Sequence, residues 1–289
     1  MSAGVATNDL SATGVPVLID PTTGALGTGS ATGIYKPTVM NVSCNGTGTP
    51  LADTLKRLNP TAAVYEIVIS GTCNEPITLK NFSSITLRPA EGSEASIGPV
   101  VVDNGNGMVL IRDLSIILDS ADFLSTAVQK ISVGRLELRD VNFVCISSDG
   151  GPCAFYVVTL QGAGDLRLYG GWVSENWGQA ARVSLSRNAT AIVSSTAARA
   201  CTPWSYTAQY SSTIRIGDAY GTGFCSRTVT ARSEMGSLIE YQGPDMFSKV
   251  EANGGQVYGP SDHSWFTSVS CKGAAAVVES ADFSVNQCP

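Results

Sequence analysis

Val109-Leu-Ile-Arg-Asp-Leu-Ser-Ile116 is followed, 27 residues later, by a stretch of the same outline, Leu136-Glu-Leu-Arg-Asp-Val-Asn-Phe143. In both stretches apolar residues alternate with polar ones, a single Asp interrupts the alternation, and the alternation then resumes. A period of two is typical of a β-strand with one buried face, and Asp is a common turn residue. Each stretch therefore predicts two short strands that meet at a one-residue corner.

The same strand–corner–strand module recurs along the chain. Further copies begin at residues 166, 191 (a weaker copy), 214, 250 and 276, so that successive copies are spaced by 27, 30, 25, 23, 36 and 26 residues. The spacing of 36 predicts a looped-out insertion. One module per roughly 25 residues suits one coil of a solenoid, in which inward side chains stack on their equivalents about 4.8 Å away.

We therefore predict an all-β fold, a right-handed parallel β-helix. A β-sandwich is the competing fold, because it also has short alternating strands. It does not, however, predict the same module seven times. We expect residues 1–43, which are rich in Gly, Ser, Thr and Ala, to form an extended leader, and residues 44–289 to form the β-helix domain. The leader contains one strand-like segment, residues 15–19, and either docks on the body or another subunit or is a flexible linker.

One segment predicts a helix, at about residues 49–59. Its leucines fall at positions i, i+4 and i+7 and form one apolar stripe: Leu51, Leu55 and Leu58. Thr49 can serve as the N-cap, with Pro50 at the first helical position. A short amphipathic helix ahead of a run of strands predicts a cap that covers the open end of the solenoid.

The eight cysteines predict disulfides. One histidine and the lack of a CxxC motif argue against a zinc site, so we favour disulfides and an oxidising compartment over free buried thiols in a cytosolic protein. In a solenoid, sequence neighbours are also spatial neighbours. This predicts the pairs Cys44–Cys73, Cys145–Cys153, Cys201–Cys225 and Cys271–Cys288.

Composition excludes two classes of partner. Only 15% of the residues are charged, the net charge is −6, and no Lys/Arg cluster is present, so we predict no nucleic-acid partner. No apolar run approaches the roughly 20 residues that a membrane-spanning helix needs. Because the predicted disulfides need an oxidising compartment, the expected location is secreted, cell-surface or virion-exposed.

The N-terminal part of the predicted solenoid resembles a known group of proteins. Asn41-Val-Ser-Cys44, the predicted helix and Ile67-Val-Ile-Ser-Gly-Thr-Cys-Asn-Glu-Pro-Ile-Thr-Leu79 are similar to the opening of bacterial or phage parallel β-helix repeat proteins of the pectate-lyase-like superfamily. The resemblance covers about residues 41–90. It implies the fold, an extracellular setting and a bridge from the cap to the first coil. It does not imply chemistry, because this fold hosts lyases, hydrolases, tailspikes, adhesins and scaffolds.

Two corner carboxylates are candidates for catalysis. Asp113 and Asp140 occupy equivalent corners of adjacent coils, where they could form the acid pair of a glycoside hydrolase or part of a calcium site. Each follows an arginine, Arg112 or Arg139, so an Arg/Asp ladder with a purely structural role is the simpler interpretation.

The only histidine supplies the other candidates, Asp262 and His263 in Ser261-Asp-His-Ser-Trp265. This segment is weakly similar to one strand of pectate lyases, but the Arg-Pro-x-x-Arg-x-Gly motif of that family is missing. The Asp-pair and Gly-His-Gly motifs of polygalacturonases are missing too. We expect His263 to lie in a surface loop, and we predict neither a metal nor a cofactor.

Aromatic residues favour a binding function. Of 21 Phe, Trp and Tyr residues, 16 lie from Phe155 onward, several of them in irregular stretches between modules. Rings beside Ser, Asn and Gln suit sugars or protein interfaces, although they could instead pack loops onto the body, in two cases against a disulfide. The candidates are Trp177, Trp204, Tyr206, Tyr210 and Trp265.

The sequence thus leaves three functions open. The first is a non-catalytic extracellular protein that binds a polysaccharide or a partner subunit, as an adhesin, a tail appendage or a surface-assembly protein. The second is a polysaccharide lyase or glycoside hydrolase. The third is a self-assembling homo-oligomer whose leader adds a strand to a neighbour's sheet.

Overall fold

A computed structural model describes residues 17–19, 26–28, 37–61, 63–119, 126–146, 156–173, 181–194, 197–198, 204–216, 229–241, 247–259, 269–273, 276–280 and 288. The chain separates into two compact units, Met1–Thr38 and Val39–Pro289. In the first unit, β1 (Val17–Ile19) pairs antiparallel with β2 (Leu26–Thr28). The strand-like segment of the leader is therefore engaged in a local pair.

From residue 38 onward the described elements are one helix and 25 strands. In chain order they are β3 (Thr38–Asn45), α1 (Pro50–Arg57), β4 (Val64–Cys73), β5 (Ile77–Lys80), β6 (Ser84–Pro89), β7 (Ala95–Ile97), β8 (Val100–Asp103), β9 (Met108–Arg112), β10 (Ser115–Asp119), β11 (Thr126–Lys130), β12 (Gly134–Arg139), β13 (Asn142–Ile146), β14 (Tyr156–Gln161), β15 (Gly164–Tyr169), β16 (Trp172–Val173), β17 (Ala181–Ser186), β18 (Thr190–Ser194), β19 (Ala197–Ala198), β20 (Trp204–Gln209), β21 (Thr213–Ile216), β22 (Val229–Glu234), β23 (Leu238–Tyr241), β24 (Phe247–Asn253), β25 (Gln256–Gly259), β26 (Val269–Lys272) and β27 (Val277–Ser280).

These strands form three stacks through which the chain coils. The first stack runs β4, β6, β9, β12, β15, β18, β21, β23, β25, β27, and the second runs from the end of β4 through β7, β10, β13, β16 and β19. The third runs β5, β8, β11, β14, β17, β20, β22, β24, β26. Neighbours within each stack pair in parallel. The predicted all-β class is confirmed: the chain forms a parallel β-helix, with one short helix among its described residues.

The core is a set of side-chain columns inside the coil. One column in the first stack is buried in every coil: Tyr65, Ile85, Val109, Leu136, Leu166, Ala191, Ile214, Ile239, Val257 and Val278. Burying each Val, Leu or Ile stabilises the fold by about 1.5–3 kcal/mol. The alternation in the sequence thus follows directly from the two faces of each strand.

Five of the seven predicted modules are in register, but the last two are wrong. Val250 lies in β24 of the third stack. After Ile214 the first stack continues with β23 and β25, so a further coil begins at Ile239 within the interval in which we predicted an insertion. Val278, not Ala276, continues the inward column. Strands of every stack alternate with the same period, which is why the pattern alone did not identify the stack.

The helix forms where predicted, but it is capped differently. α1 buries Leu51 and Leu55, and Thr49 is its N-cap residue without capping through its side chain; the Thr49 hydroxyl donates to Asp53 instead. The carboxylate of Glu75 accepts the N–H groups of Leu51 at 2.8 Å and of Ala52 at 3.4 Å. The free amides of the first turn are therefore satisfied from the first coil.

Disulfides join the ends of the solenoid to its body. Cys44 in β3 is bonded to Cys73 in β4, and Cys271 in β26 is bonded to Cys288. Cys145 is also disulfide-bonded, while the predicted partners Cys153, Cys201 and Cys225 lie outside the described residues. These bonds fit an oxidising environment. In the described part of the chain, no helix is long and apolar enough to cross a membrane.

Candidate functional site

The turns from the third stack to the first line up along one side of the β-helix. In three successive coils the turn consists of two residues that both have positive φ: Arg187–Asn188, Tyr210–Ser211 and Met235–Gly236. The amide of Asn188 donates to the Tyr210 carbonyl at 2.9 Å, and the amide of Ser211 donates to the Met235 carbonyl at 3.2 Å. We call these six residues the turn ridge.

The first position of each ridge turn carries a bulky residue. Arg187, Tyr210 and Met235 have φ values of 63°, 53° and 52°. Turns with two left-handed residues favour Asn, Asp and Gly, and a larger residue in this region costs about 1–3 kcal/mol of backbone strain. The sequence therefore retains long side chains at positions where the backbone disfavours them.

Buried serines support the ridge from inside. The Ser212 hydroxyl donates to the Gln209 carbonyl at 2.6 Å, and the Ser212 amide donates to the Ser237 hydroxyl at 3.1 Å. The Ser233 hydroxyl donates to the Ser237 carbonyl at 2.7 Å. Because buried hydrogen bonds are costly to break, these contacts hold the turns in place.

A carboxylate anchors the strand that leads into the Met235 turn. Glu234 accepts hydrogen bonds from Gln209 at 2.6 Å, Arg232 at 2.6 Å and Asn253 at 3.3 Å. Burial alone would raise the pKa of Glu234, but these hydrogen bonds and the charge of Arg232 lower it below its ordinary value. Glu234 is thus ionised at neutral pH and ties three coils together.

The ridge borders a shallow depression of about 590 Å³, which is lined by Arg187, Asn188, Tyr210, Ser211 and Met235. Tyr210 is 51% exposed and Met235 is 56% exposed. A half-exposed aromatic ring beside a guanidinium, an amide and a hydroxyl combines a stacking group with hydrogen-bonding groups. This combination suits a polar ligand with flat apolar faces, such as a sugar.

The structure separates the aromatic residues that the sequence grouped together. Tyr210 lies on the ridge. Tyr206 is only 2% exposed and points into the core, in register with Val183 and Ala231, so its ring is not presented to solvent. Trp204 begins β20, where only its backbone is described. Trp177 and Trp265 lie outside the described residues.

The corner aspartates occupy equivalent positions, as the register requires. Asp113 and Asp140 have φ values of 57° and 50°, and their amides donate to the Arg139 and Tyr169 carbonyls of the next coil at 2.9 and 2.8 Å. Gly170 holds the following corner, where an added Cβ would lie 2.0 Å from Asp140 Oδ1. The acidic row therefore ends after two coils.

The predicted Arg/Asp ladder forms in one coil and not in the other. Arg112 Nη1 lies 3.8 Å from Asp113 Oδ2. Arg139 instead pairs with Glu137 and places its guanidinium carbon 6.0 Å from the centre of the Tyr169 ring. The ring attracts the cation, which explains why Arg139 turns away from its neighbouring Asp140.

A second depression, of about 450 Å³, lies beside Asp113; we call it the corner cleft. Its lining combines two arginines with three carboxylates, Arg88, Arg112, Glu91, Glu94 and Asp113. Glu91 and Glu94 belong to the segment between β6 and β7 and carry no pattern that sequence reasoning could have used. The other predicted catalytic residues, Asp262 and His263, lie outside the described residues.

One cluster has the residue types of a metal site. Ligand atoms of Cys44, Cys73 and Glu75 lie within 4.8 Å of one another. The two sulfurs are bonded to each other, whereas metal binding requires thiolates. The disulfide therefore makes two of the three ligand atoms unavailable to a metal ion.

Comparison with known proteins finds no relative. No family model matches the chain, and no curated protein or solved structure matches it. The fold is therefore assigned from its own topology, and its function has to be argued from its own surfaces.

Proposed function

We propose that this chain is a non-catalytic parallel β-helix protein that binds a glycan at the turn ridge. The observation that carries the proposal is the placement of Tyr210, which is half exposed at a left-handed φ of 53°. A residue that adopts a strained backbone conformation and is not buried contributes little to the stability of the fold. An exposed ring among polar side chains gives a sugar a stacking surface.

The ridge also supplies hydrogen-bonding groups for the hydroxyls of a sugar. Asn188 offers amide donors and an acceptor, Ser211 offers a hydroxyl, and Arg187 offers a guanidinium along the same depression. The buried hydrogen bonds below hold these groups in position before a ligand arrives, which lowers the entropy lost on binding.

The setting we propose is extracellular, as part of an adhesin, a tail appendage or another surface assembly. Disulfides at both ends of the solenoid fit this setting. The resemblance of residues 41–90 to β-helix proteins of the pectate-lyase-like superfamily supports it as well.

A glycan array probed with the full-length protein tests the proposal. We expect binding to one class of glycan, and we expect Tyr210→Ala to weaken it by about tenfold or more, as for an aromatic residue at the centre of a binding site. Tyr210→Phe keeps the ring and is expected to retain most of the affinity. Asp113→Ala serves as a control outside the ridge and is expected to bind as the wild type does. Equal binding by wild type and Tyr210→Ala would remove the ridge from consideration.

Catalysis at the corner cleft is the second candidate. Three carboxylates and two arginines line one depression there, and paired acids are the machinery of polysaccharide hydrolysis. The assay is release of reducing ends and of unsaturated uronates in the same array wells. Turnover by the wild type that Asp113→Asn abolishes would establish an enzyme and replace the binding proposal.

A further inference from the structure

Among the described residues, β5 has a neighbouring strand on one edge only. It is the first strand of the third stack and pairs with β8; on its other side, the described part of the chain places no strand. The amides of Ile77 and Asn81 donate to the Pro99 and Asp103 carbonyls of the next coil at 2.9 and 3.0 Å.

The backbone of Thr78 and Lys80 must therefore face the other way. In a parallel pair, the residues that bond to one neighbour alternate with residues whose N–H and C=O groups point to the opposite side. Thr78 and Lys80 are exposed, so two amides and two carbonyls lie at an edge where the described part of the chain places no strand. The first edge of β4 is covered by β3. Beside the first edge of β5 the described residues place no strand, and the helix α1 contacts β5 instead.

A groove of about 560 Å³ runs between this edge and α1. Thr78 and Lys80 form one side of it. The apolar part of its lining consists of Ala52, Leu55, Leu58, Pro60, Pro76 and Phe82. The groove thus offers apolar contacts directly beside unpaired backbone groups, as a strand-binding site requires.

A buried carboxylate oxygen also lies at this groove. Glu75 lines it and is only 7% exposed. Its Oε1 atom caps α1, while Oε2 is buried and has no hydrogen-bond partner. An unsatisfied buried oxygen destabilises the fold, and a donor brought by a ligand would remove that penalty.

We propose that this groove binds an extended polypeptide that adds to β5 as a further strand and directs a Lys or Arg side chain to Glu75. The occupant is a polypeptide because the edge presents N–H and C=O groups at strand spacing, which another backbone matches. The basic residue follows from the carboxylate. Lys56 and Lys80 at the rim are paired with Asp53 and Asp103, each at 3.5 Å, so they do not oppose a cationic ligand strongly. This surface is separate from the turn ridge, and neither proposal depends on the other.

The probe is a library of random nine-residue peptides displayed on phage and selected on the full-length protein. We expect selected peptides with alternating apolar residues and a Lys or Arg. On addition of such a peptide, hydrogen exchange at the Thr78 and Lys80 amides is expected to slow, while exchange at the Tyr210 and Ser211 amides stays unchanged. This measurement needs no variant of the protein.

A matched pair of variants tests the role of the backbone. Thr78→Pro removes the outward N–H without removing a bond to β8, as edge positions allow. We expect it to weaken the affinity for the selected peptides, synthesised without the phage, by about tenfold. Thr78→Ala keeps the N–H and is expected to leave the affinity nearly unchanged. Glu75→Gln keeps an oxygen for the helix cap and is expected to lose the preference for basic peptides.

Two results would overturn the proposal. One is selection of no peptide at all. The other is peptides that bind Thr78→Pro as tightly as they bind the wild type, with unfolding curves showing that the variant is folded.

Discussion

Two rows of left-handed residues run along this β-helix, and they differ in the side chains they carry. The corner row between the first and second stacks consists of Asp113, Asp140 and Gly170, while the turn ridge presents Tyr210 and Met235 at the equivalent kind of position. Asp and Gly tolerate this backbone conformation. Large side chains do so only at a cost.

The difference shows where folding alone explains the sequence. At the corner row, residue type and backbone agree, and Gly170 leaves space for the Asp140 carboxylate. On the ridge, residue type and backbone conflict, and half of the Tyr210 side chain remains in solvent. A local conflict of this kind is expected at functional sites, which is why we place binding on the ridge and structure at the corner.

Crowding the residue that follows the corner row should have the largest effect. In Gly171→Ala, next to Gly170, the new Cβ would lie 2.0 Å from the Val141 carbonyl oxygen at a φ of 80°. We expect a loss of about 3 kcal/mol or more in the free energy of unfolding. The control is Gly92→Ala, which has a φ of 70° but nothing within 4 Å, and which should lose about 1 kcal/mol. Urea denaturation measures both; equal losses would show that the close contact is unimportant.

The coil that contains β11 and β12 places a long side chain inside the solenoid, next to the turn from the third stack to the first. Lys130 is fully buried, in register with Val102 and Leu160, and donates to the Val133 carbonyl at 2.7 Å. Burial lowers the pKa of Lys130 to about 8, against a smaller opposing effect of Asp103.

Lys130→Met is therefore expected to raise stability at pH 7, by about 1–2 kcal/mol. Between the folded pKa of about 8 and the ordinary value of 10.5, the unfolded chain binds the proton more strongly, so the stability of the wild type rises with pH in that window. The difference in stability between Lys130→Met and the wild type should therefore become smaller as the pH rises through that window. Urea denaturation at pH 7 and pH 10 measures this; an advantage that grows with pH would contradict it.

Relieving the backbone strain at Tyr210 should abolish glycan binding without lowering stability. Tyr210→Gly removes a half-exposed ring from a left-handed position and is expected to leave stability unchanged or to raise it by up to about 1 kcal/mol, while glycan binding is lost. Asp113→Gly at the corner should change stability by less than about 0.5 kcal/mol and leave binding intact. Thermal unfolding and the glycan array measure the two effects. A marked loss of stability in Tyr210→Gly would mean that the ring supports the fold.

The smallest effect is expected for Glu234→Gln, below the ridge. Because the pKa of Glu234 is lowered in the folded chain, its carboxylate stabilises the fold above the ordinary pKa of 4.5, and this contribution disappears as the pH falls through the folded pKa. The variant should be slightly less stable than the wild type at pH 7, with a shallower loss of stability on acidification. Denaturation at pH 7 and below pH 4 checks this. Parallel pH profiles for the two proteins would be inconsistent with a lowered pKa.

Local sequence patterns were sufficient to predict the strands, the helix and much of the register between strands. The alternation around Val109 and Leu136 and the turn residues Asp113 and Asp140 predicted strands that the structure pairs in the predicted register. The leucine stripe predicted α1. These features depend on neighbouring residues only, and so a single sequence is enough to find them.

The candidate site was predicted only in part. Tyr206 and Tyr210 carry the same ring, four residues apart, yet one is in the core and the other is on the ridge. Alternation tells which residues share a face but not which face is inside, and Ala231 in the adjoining coil leaves room for the Tyr206 ring. The strained turns at Arg187 and Met235 have no sequence signal, because neither residue type favours positive φ.

Local periodicity and turn preference were enough to predict the parallel β-helix, the cap helix and a corner that tolerates left-handed backbone. The packing of the coils on one another was needed to show that Glu75 rather than Thr49 caps the helix, that the described residues place no strand beside one edge of β5, and which aromatic residue faces solvent. These outcomes depend on which coil lies next to which. That adjacency is established when coils separated by about 20–30 residues stack on one another.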